Sequence, residues 1–123
     1  MFELTAKSEF EAAHFIKNYP GKCARLHGHN WVVEAIVQGD KLNELGILVD
    51  FKILKGELNK VLDKFDHQYL NELEIFAEKN PTAENLAEEI FNQLEMSEIF
   101  NDAVKLTAVK VYESPKSCVM YSR

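Results

Sequence analysis

The chain changes its hydrophobic period twice along its length, and that change bounds the folds open to it. From residue 2 to residue 14, apolar and polar side chains alternate. Phe2, Leu4, Ala6, Phe10 and Ala12 share one parity, and Glu3, Thr5, Lys7, Glu9 and Glu11 the other. Period two marks a half-buried strand. Residues 15–26 interrupt it with the loop formers Asn18, Pro20, Gly21 and Lys22. Residues 27–38 resume it, with Trp31, Val33, Ala35 and Val37 in phase with His27 and His29. Gly39-Asp40 and Gly46 bracket a connection that ends near Val49.

Beyond it the spacing becomes three and four. Phe51, Leu54, Leu58, Val61, Leu62 and Phe65 form the apolar stripe of a helix, with Asp50 placed to cap it. A second helix starts at Pro81-Thr82, with Thr82 as N-cap, and carries Ala83, Leu86, Ala87, Ile90, Phe91 and Leu94 inward. Its Glu84, Glu88 and Glu89 face outward or lie near the positive helix start. From Leu106 to Tyr112 the β-branched pattern returns, Pro115 breaks it, and Cys118 to Tyr121 reads as a short last strand. Strands and helices in separate runs predict an α+β fold, an antiparallel sheet with two helices on one face. Four strands leave two open edges, which invite pairing with another chain.

At 123 residues this is one domain's worth of chain, spanning residues 1–123. A net charge of −6 with no basic run argues against nucleic acid or a membrane surface as partner. No apolar run approaches the roughly 20 residues that cross a bilayer, and residues 1–4 lack signal-peptide character. With Cys23 and Cys118 the only cysteines, the expected compartment is the reducing cytoplasm.

The candidate chemistry lies in the histidines. His27 and His29 are two apart on a strand, so they project from one face roughly 6.8 Å apart. His14 ends the first strand in phase with Phe10 and Ala12. If the first two strands pair antiparallel, three imidazoles converge, and three nitrogen ligands with an open fourth position describe a catalytic Zn²⁺ site. Cys23, four residues before His27, is either a fourth ligand or a thiolate base whose proton is loosened by metal and by Lys22 and Arg25. Cys118 is expected to be a small core residue. Asp66-His67 has the composition of a proton relay. Glu113 follows Val109 and Val111 in phase: it is either a solvated strand end or an inward carboxylate for a ligand with adjacent N–H donors.

These pieces resemble the 6-pyruvoyl/6-carboxytetrahydropterin synthase family over nearly the whole chain. The resemblance is carried by Phe10-Glu11-Ala12-Ala13-His14, Cys23-Ala24-Arg25-Leu26-His27-Gly28-His29, Val49-Asp50-Phe51, Asp66-His67, Pro81-Thr82-Ala83-Glu84-Asn85-Leu86-Ala87 and Val111-Tyr112-Glu113. It implies a tunnelling fold (ββααββ) whose sheets close into a barrel across subunits, a hexamer of two stacked trimers. It also implies zinc on His14, His27 and His29, Cys23 as proton acceptor, and His67 with Asp66 as relay. Glu113 would grip the pterin ring or join the relay. Thr82 would touch the ligand or serve only as a cap. The implied substrate is 7,8-dihydroneopterin triphosphate, with Lys22 and Arg25 the nearest cations to meet its phosphates. The three residues between Cys23 and His27 are similar to the short spacing of the carboxy-forming members that act in queuosine precursor synthesis; pyruvoyl-forming members carry a longer insert. The expected products are therefore 6-carboxy-5,6,7,8-tetrahydropterin, acetaldehyde and triphosphate. The alternatives are 6-pyruvoyl-tetrahydropterin synthesis, a non-catalytic zinc or pterin module, and a purely structural domain.

Overall fold

The computed structural model describes residues 1–123. The alternating segments form β1 (Phe2–His14) and β2 (His27–Gly39), an antiparallel pair in unbroken register from Phe2 opposite Gly39 to His14 opposite His27. Helix α1 (Phe51–Leu62) follows, capped by Asp50, whose carboxylate accepts from Lys52 N–H at 2.8 Å. After β3 (Gln68–Tyr69) comes α2 (Ala83–Glu95), capped by Thr82, whose Oγ1 accepts from Asn85 N–H at 3.1 Å. Strands β4 (Lys105–Ser114) and β5 (Ser117–Ser122) end the chain.

The sheet order is β3-β1-β2-β4-β5. The strand β3 is absent from the pattern reading, and it makes the sheet mixed rather than antiparallel, because Gln68 and Tyr69 run parallel to Ala12 and Ala13. The two residues are too few to show a period. One backbone and one side-chain bond just ahead of them hold them there: His67 N–H donates to Glu11 C=O at 2.6 Å, and Asp66 Oδ1 accepts from Glu11 N–H at 3.0 Å.

Helix α1 lies against β1, and α2 against β4 and β5. Leu54, Leu58 and Leu62 from α1, and Leu86, Ile90, Phe91 and Leu94 from α2, close over Phe10, Trp31, Val33, Val109 and Val111. Phe10 and Trp31 stack with centroids 6.0 Å apart. The opposite sheet face carries the polar parity of β1 and has no helix on it.

Two packing expectations fail. Phe51 is 58% exposed: it rims a surface groove with Phe2, Leu4 and Ile47 instead of joining the core stripe of α1. Cys118 is exposed, not a core residue. In β5 the inward parity belongs to Val119 and Tyr121, with Tyr121 against Phe91 at 5.2 Å, and this turns Cys118 and Met120 outward.

Candidate metal centre

The register of β1 and β2 places His14 directly opposite His27, with His29 two residues further along the same face. That face is the core face, so the three imidazoles continue the line of Phe10 and Trp31 past the end of the helices. Trp31 forms the floor, its ring 5.0 Å from His14 and 5.1 Å from His29. Its indole N–H is occupied by Ala12 C=O at 3.3 Å. From β4, Glu113 brings Oε1 to 3.0 Å from His29 Nε2 and 3.8 Å from His14 Nε2. The β4–β5 register shifts between Tyr112 and Ser114, the kind of irregularity that re-aims a side chain. One donor atom from each of His14, His27, His29 and Glu113 lies within 4.8 Å of all the others.

The tautomers follow from the partners. His14 Nδ1 lies 2.7 Å from Pro81 C=O, and His27 Nδ1 lies 2.7 Å from Arg25 C=O. A carbonyl only accepts, so both Nδ1 atoms carry the proton. In the neutral rings the two Nε2 atoms then present lone pairs to each other across 3.0 Å. Two lone pairs at that distance repel unless a positive charge sits between them. His29 Nε2 is also buried and has no hydrogen-bond partner, since Glu113 stands beside it out of alignment.

Burial lowers the pKa of His14, opposed in part by the bond to Pro81 and reinforced by His27 and His29. Burial likewise lowers that of His29, with Glu113 pulling the other way. The neutral imidazole so favoured is the form that binds metal. Three nitrogen donors, one carboxylate, and backbone carbonyls orienting two of the rings from behind fit the donor preferences of Zn²⁺.

The other candidates stand outside the cluster. Cys23 sits half-buried in a short helical turn, Lys22–Ala24, and its sulfur is not among the converging donors. Lys22 and Arg25 are exposed around it. Thr82 is engaged in capping α2, next to the Pro81 carbonyl that holds His14. Asp66 and His67 do form a pair, with His67 Nδ1 3.0 Å from Asp66 Oδ1. His67 has φ +56°, a left-handed backbone that costs an ordinary residue about 1–3 kcal/mol and collects at working sites. The bond from Glu11 N–H, then His67, lowers the pKa of Asp66 and keeps it ionised. Glu11 Oε2 stands 3.6 Å from His67 Nε2 on the other side of the ring, a contact that pattern reading had no signal to find.

Two clefts flank the ridge Gly28-His29-Asn30. One, of about 550 Å³, runs past Glu113, Tyr112 and Lys7. The other, of about 530 Å³, is lined by Glu11, His67 and Tyr69. His29 lines both, so it is the member of the histidine cluster that faces the two clefts, with Glu113 on the first and His67 on the second.

Fold and site together define an α+β protein with a three-histidine, one-carboxylate centre at the end of its sheet. The family model described as 6-pyruvoyl tetrahydropterin synthase matches residues 3–123. The chain is 36% identical to the 6-carboxy-5,6,7,8-tetrahydropterin synthase of Bacillus subtilis, covering 98% of this chain and 84% of that protein. It is 30% identical to the enzyme of the same name from Rickettsia conorii, covering 97% of this chain and 99% of that one. The Caenorhabditis elegans 6-pyruvoyl tetrahydropterin synthase structure superposes with a TM-score of 0.86 at 29% identity, covering 99% of this chain and 95% of that one. The chain belongs to the 6-pyruvoyl tetrahydropterin synthase family and is an enzyme of the pterin-synthase class.

Proposed function

We propose that the chain is a zinc-dependent lyase that converts 7,8-dihydroneopterin triphosphate to 6-carboxy-5,6,7,8-tetrahydropterin, releasing acetaldehyde and triphosphate, at a step of queuosine precursor synthesis. The observation that carries the metal dependence is the pair of Nε2 lone pairs facing across 3.0 Å between rings whose Nδ1 protons are already committed. Relatives named 6-carboxy-5,6,7,8-tetrahydropterin synthase support the product, as does the three-residue spacing from Cys23 to His27.

His14, His27 and His29 would hold the ion, and bound Zn²⁺ supplies Lewis acidity toward the substrate's side-chain oxygens, acidifying the adjoining C–H bonds. Cys23 accepts a proton from that side chain. His67, oriented by Asp66 at Nδ1, moves a proton on the opposite side. Glu113 accepts hydrogen bonds from adjacent N–H groups of the pterin edge, work that suits a half-exposed carboxylate on the wall of the larger cleft. Thr82 caps α2 and would be the second residue, with Glu113, to touch the ligand.

A homohexamer completes this reading. Strand β5 has a neighbour on one side only, β3 covers only Ala12 and Ala13 of β1, and exposed Phe2, Leu42, Ile47 and Phe51 rim a groove of about 410 Å³. Sheets closing edge to edge into a barrel would cover these features. A monomer by light scattering at micromolar concentration would refute that assembly. No helix is long and apolar enough to cross a membrane, and the proposed setting is the cytoplasm.

The second reading is 6-pyruvoyl-tetrahydropterin synthesis, favoured by the superposition on the Caenorhabditis elegans enzyme. Mass spectrometry of the product from 7,8-dihydroneopterin triphosphate decides. Acetaldehyde with a carboxypterin is expected; an intact three-carbon side chain points to the pyruvoyl enzyme, and no turnover with zinc bound points to a binding module.

A further inference from the structure

The chain leaving β1 has no strand beside it, yet its backbone is held. Asn71 bonds Phe15 with both ends of its side-chain amide: Oδ1 accepts from Phe15 N–H at 2.9 Å, and Nδ2 donates to Phe15 C=O at 3.0 Å. Asn80 repeats this two residues on, at 2.9 Å to Lys17 N–H and 3.2 Å to Lys17 C=O. A carboxamide offers the same donor and acceptor as a peptide group, so the two asparagines stand in for a missing strand. Residue 16, between them, points its N–H elsewhere, and Ile16 N–H donates to Cys23 C=O at 2.7 Å. Asn80 is fixed in turn, its own C=O accepting from Asn85 Nδ2 at 2.8 Å in the first turn of α2.

We infer that Asn71 and Asn80 are positioning residues for the Cys23 thiol, clamping residues 15–17 as the rail against which the cysteine turn closes. The inference rests on the proton-accepting role proposed for Cys23. It adds a reason for the Asn80-Pro81-Thr82 sequence. Asn80 holds the cysteine rail, the Pro81 carbonyl orients His14, and Thr82 starts α2, so one tripeptide sets thiol and imidazole in a common frame.

The test uses the zinc-loaded full chain in a Cys118→Ser background, because Cys118 is exposed and would also react with alkylating agents. Asn71→Asp and Asn80→Asp each keep the size and the accepting oxygen, and each replaces the donor with an oxygen that repels the Phe15 or Lys17 carbonyl. Iodoacetamide is expected to alkylate Cys23 severalfold faster in either variant. Turnover should fall roughly ten- to a hundredfold at unchanged KM, the scale on which a misplacement of about 1 Å acts. Zinc per chain should not change, and Asn80→Asp should add no further loss to Cys23→Ala. Unchanged alkylation and turnover overturn the inference. Loss of zinc also overturns it, since the asparagines would then serve His14 rather than Cys23. Full turnover in Cys23→Ala instead refutes the role proposed for the thiol, and the alkylation rates still report whether the asparagines hold the turn.

Discussion

Acid should destabilise the metal-free chain, by an amount that the histidine cluster sets. His14 is 1% exposed, and both it and His29 are held below the ordinary imidazole value of 6.5, in each case chiefly by burial. In the unfolded chain both rings take up protons as pH falls through about 6.5; in the folded chain they do so only at lower pH. Stability is therefore complete above that value and is lost as pH falls below it, until the folded rings protonate as well. Each proton bound only by the unfolded state removes about 1.36 kcal/mol per pH unit, so the two rings together give a slope of at most about 2.7. Against a total of about 5–15 kcal/mol for a small domain, one pH unit removes a large share. The assay is urea unfolding of chelator-treated protein at pH 7.5, 6.5 and 5.5, followed by fluorescence of Trp31, the one tryptophan, which sits against His14 and His29. The midpoint should be steady above pH 6.5 and fall below it, and His14→Leu should about halve the slope. A midpoint that stays level or rises between pH 7.5 and 5.5 would refute the reading of these rings as buried and neutral, and with it the facing lone pairs.

His27→Ala should abolish stoichiometric zinc by elemental analysis while the far-ultraviolet circular dichroism persists; zinc retained at one per chain would mean the metal lies elsewhere. Cys23→Ala should keep zinc and fold while turnover drops by about 10²-fold or more, the scale of losing an acid–base group; loss of zinc instead would make the cysteine a ligand. Gly39→Ala should destabilise by about 1–3 kcal/mol, the usual range for overpacking. Its Cβ would come within 2.5 Å of both Ala103 C=O and Leu48 Cδ1. A thermal midpoint equal to wild type would show that the segments carrying Leu48 and Ala103 yield freely.

The parts of the site that were legible in the sequence are those that period two can carry. Trp31, Val33, Ala35 and Val37 state which face of β2 is buried, and His27 and His29 inherit it by parity alone; His14 does the same from Phe10 and Ala12. In β5, parity has nothing to decide with. Cys118, Val119, Met120 and Tyr121 are apolar on both parities, so one step of register turns the cysteine outward without violating the pattern. The two residues of β3 are likewise below the resolution of any period; a left-handed His67 and two bonds with Glu11, one donated and one accepted, create that strand. The tautomers are hidden more deeply. What turns the lone pairs of His14 and His27 toward each other is a carbonyl from Pro81 and another from Arg25, and every residue has a carbonyl. Side-chain identity names the donors of such a centre, but the direction in which they point is written by backbone groups that all residues share. That is why the histidine triad could be anticipated from spacing, while the facing of two of its nitrogens became visible only once the surrounding carbonyls had positions.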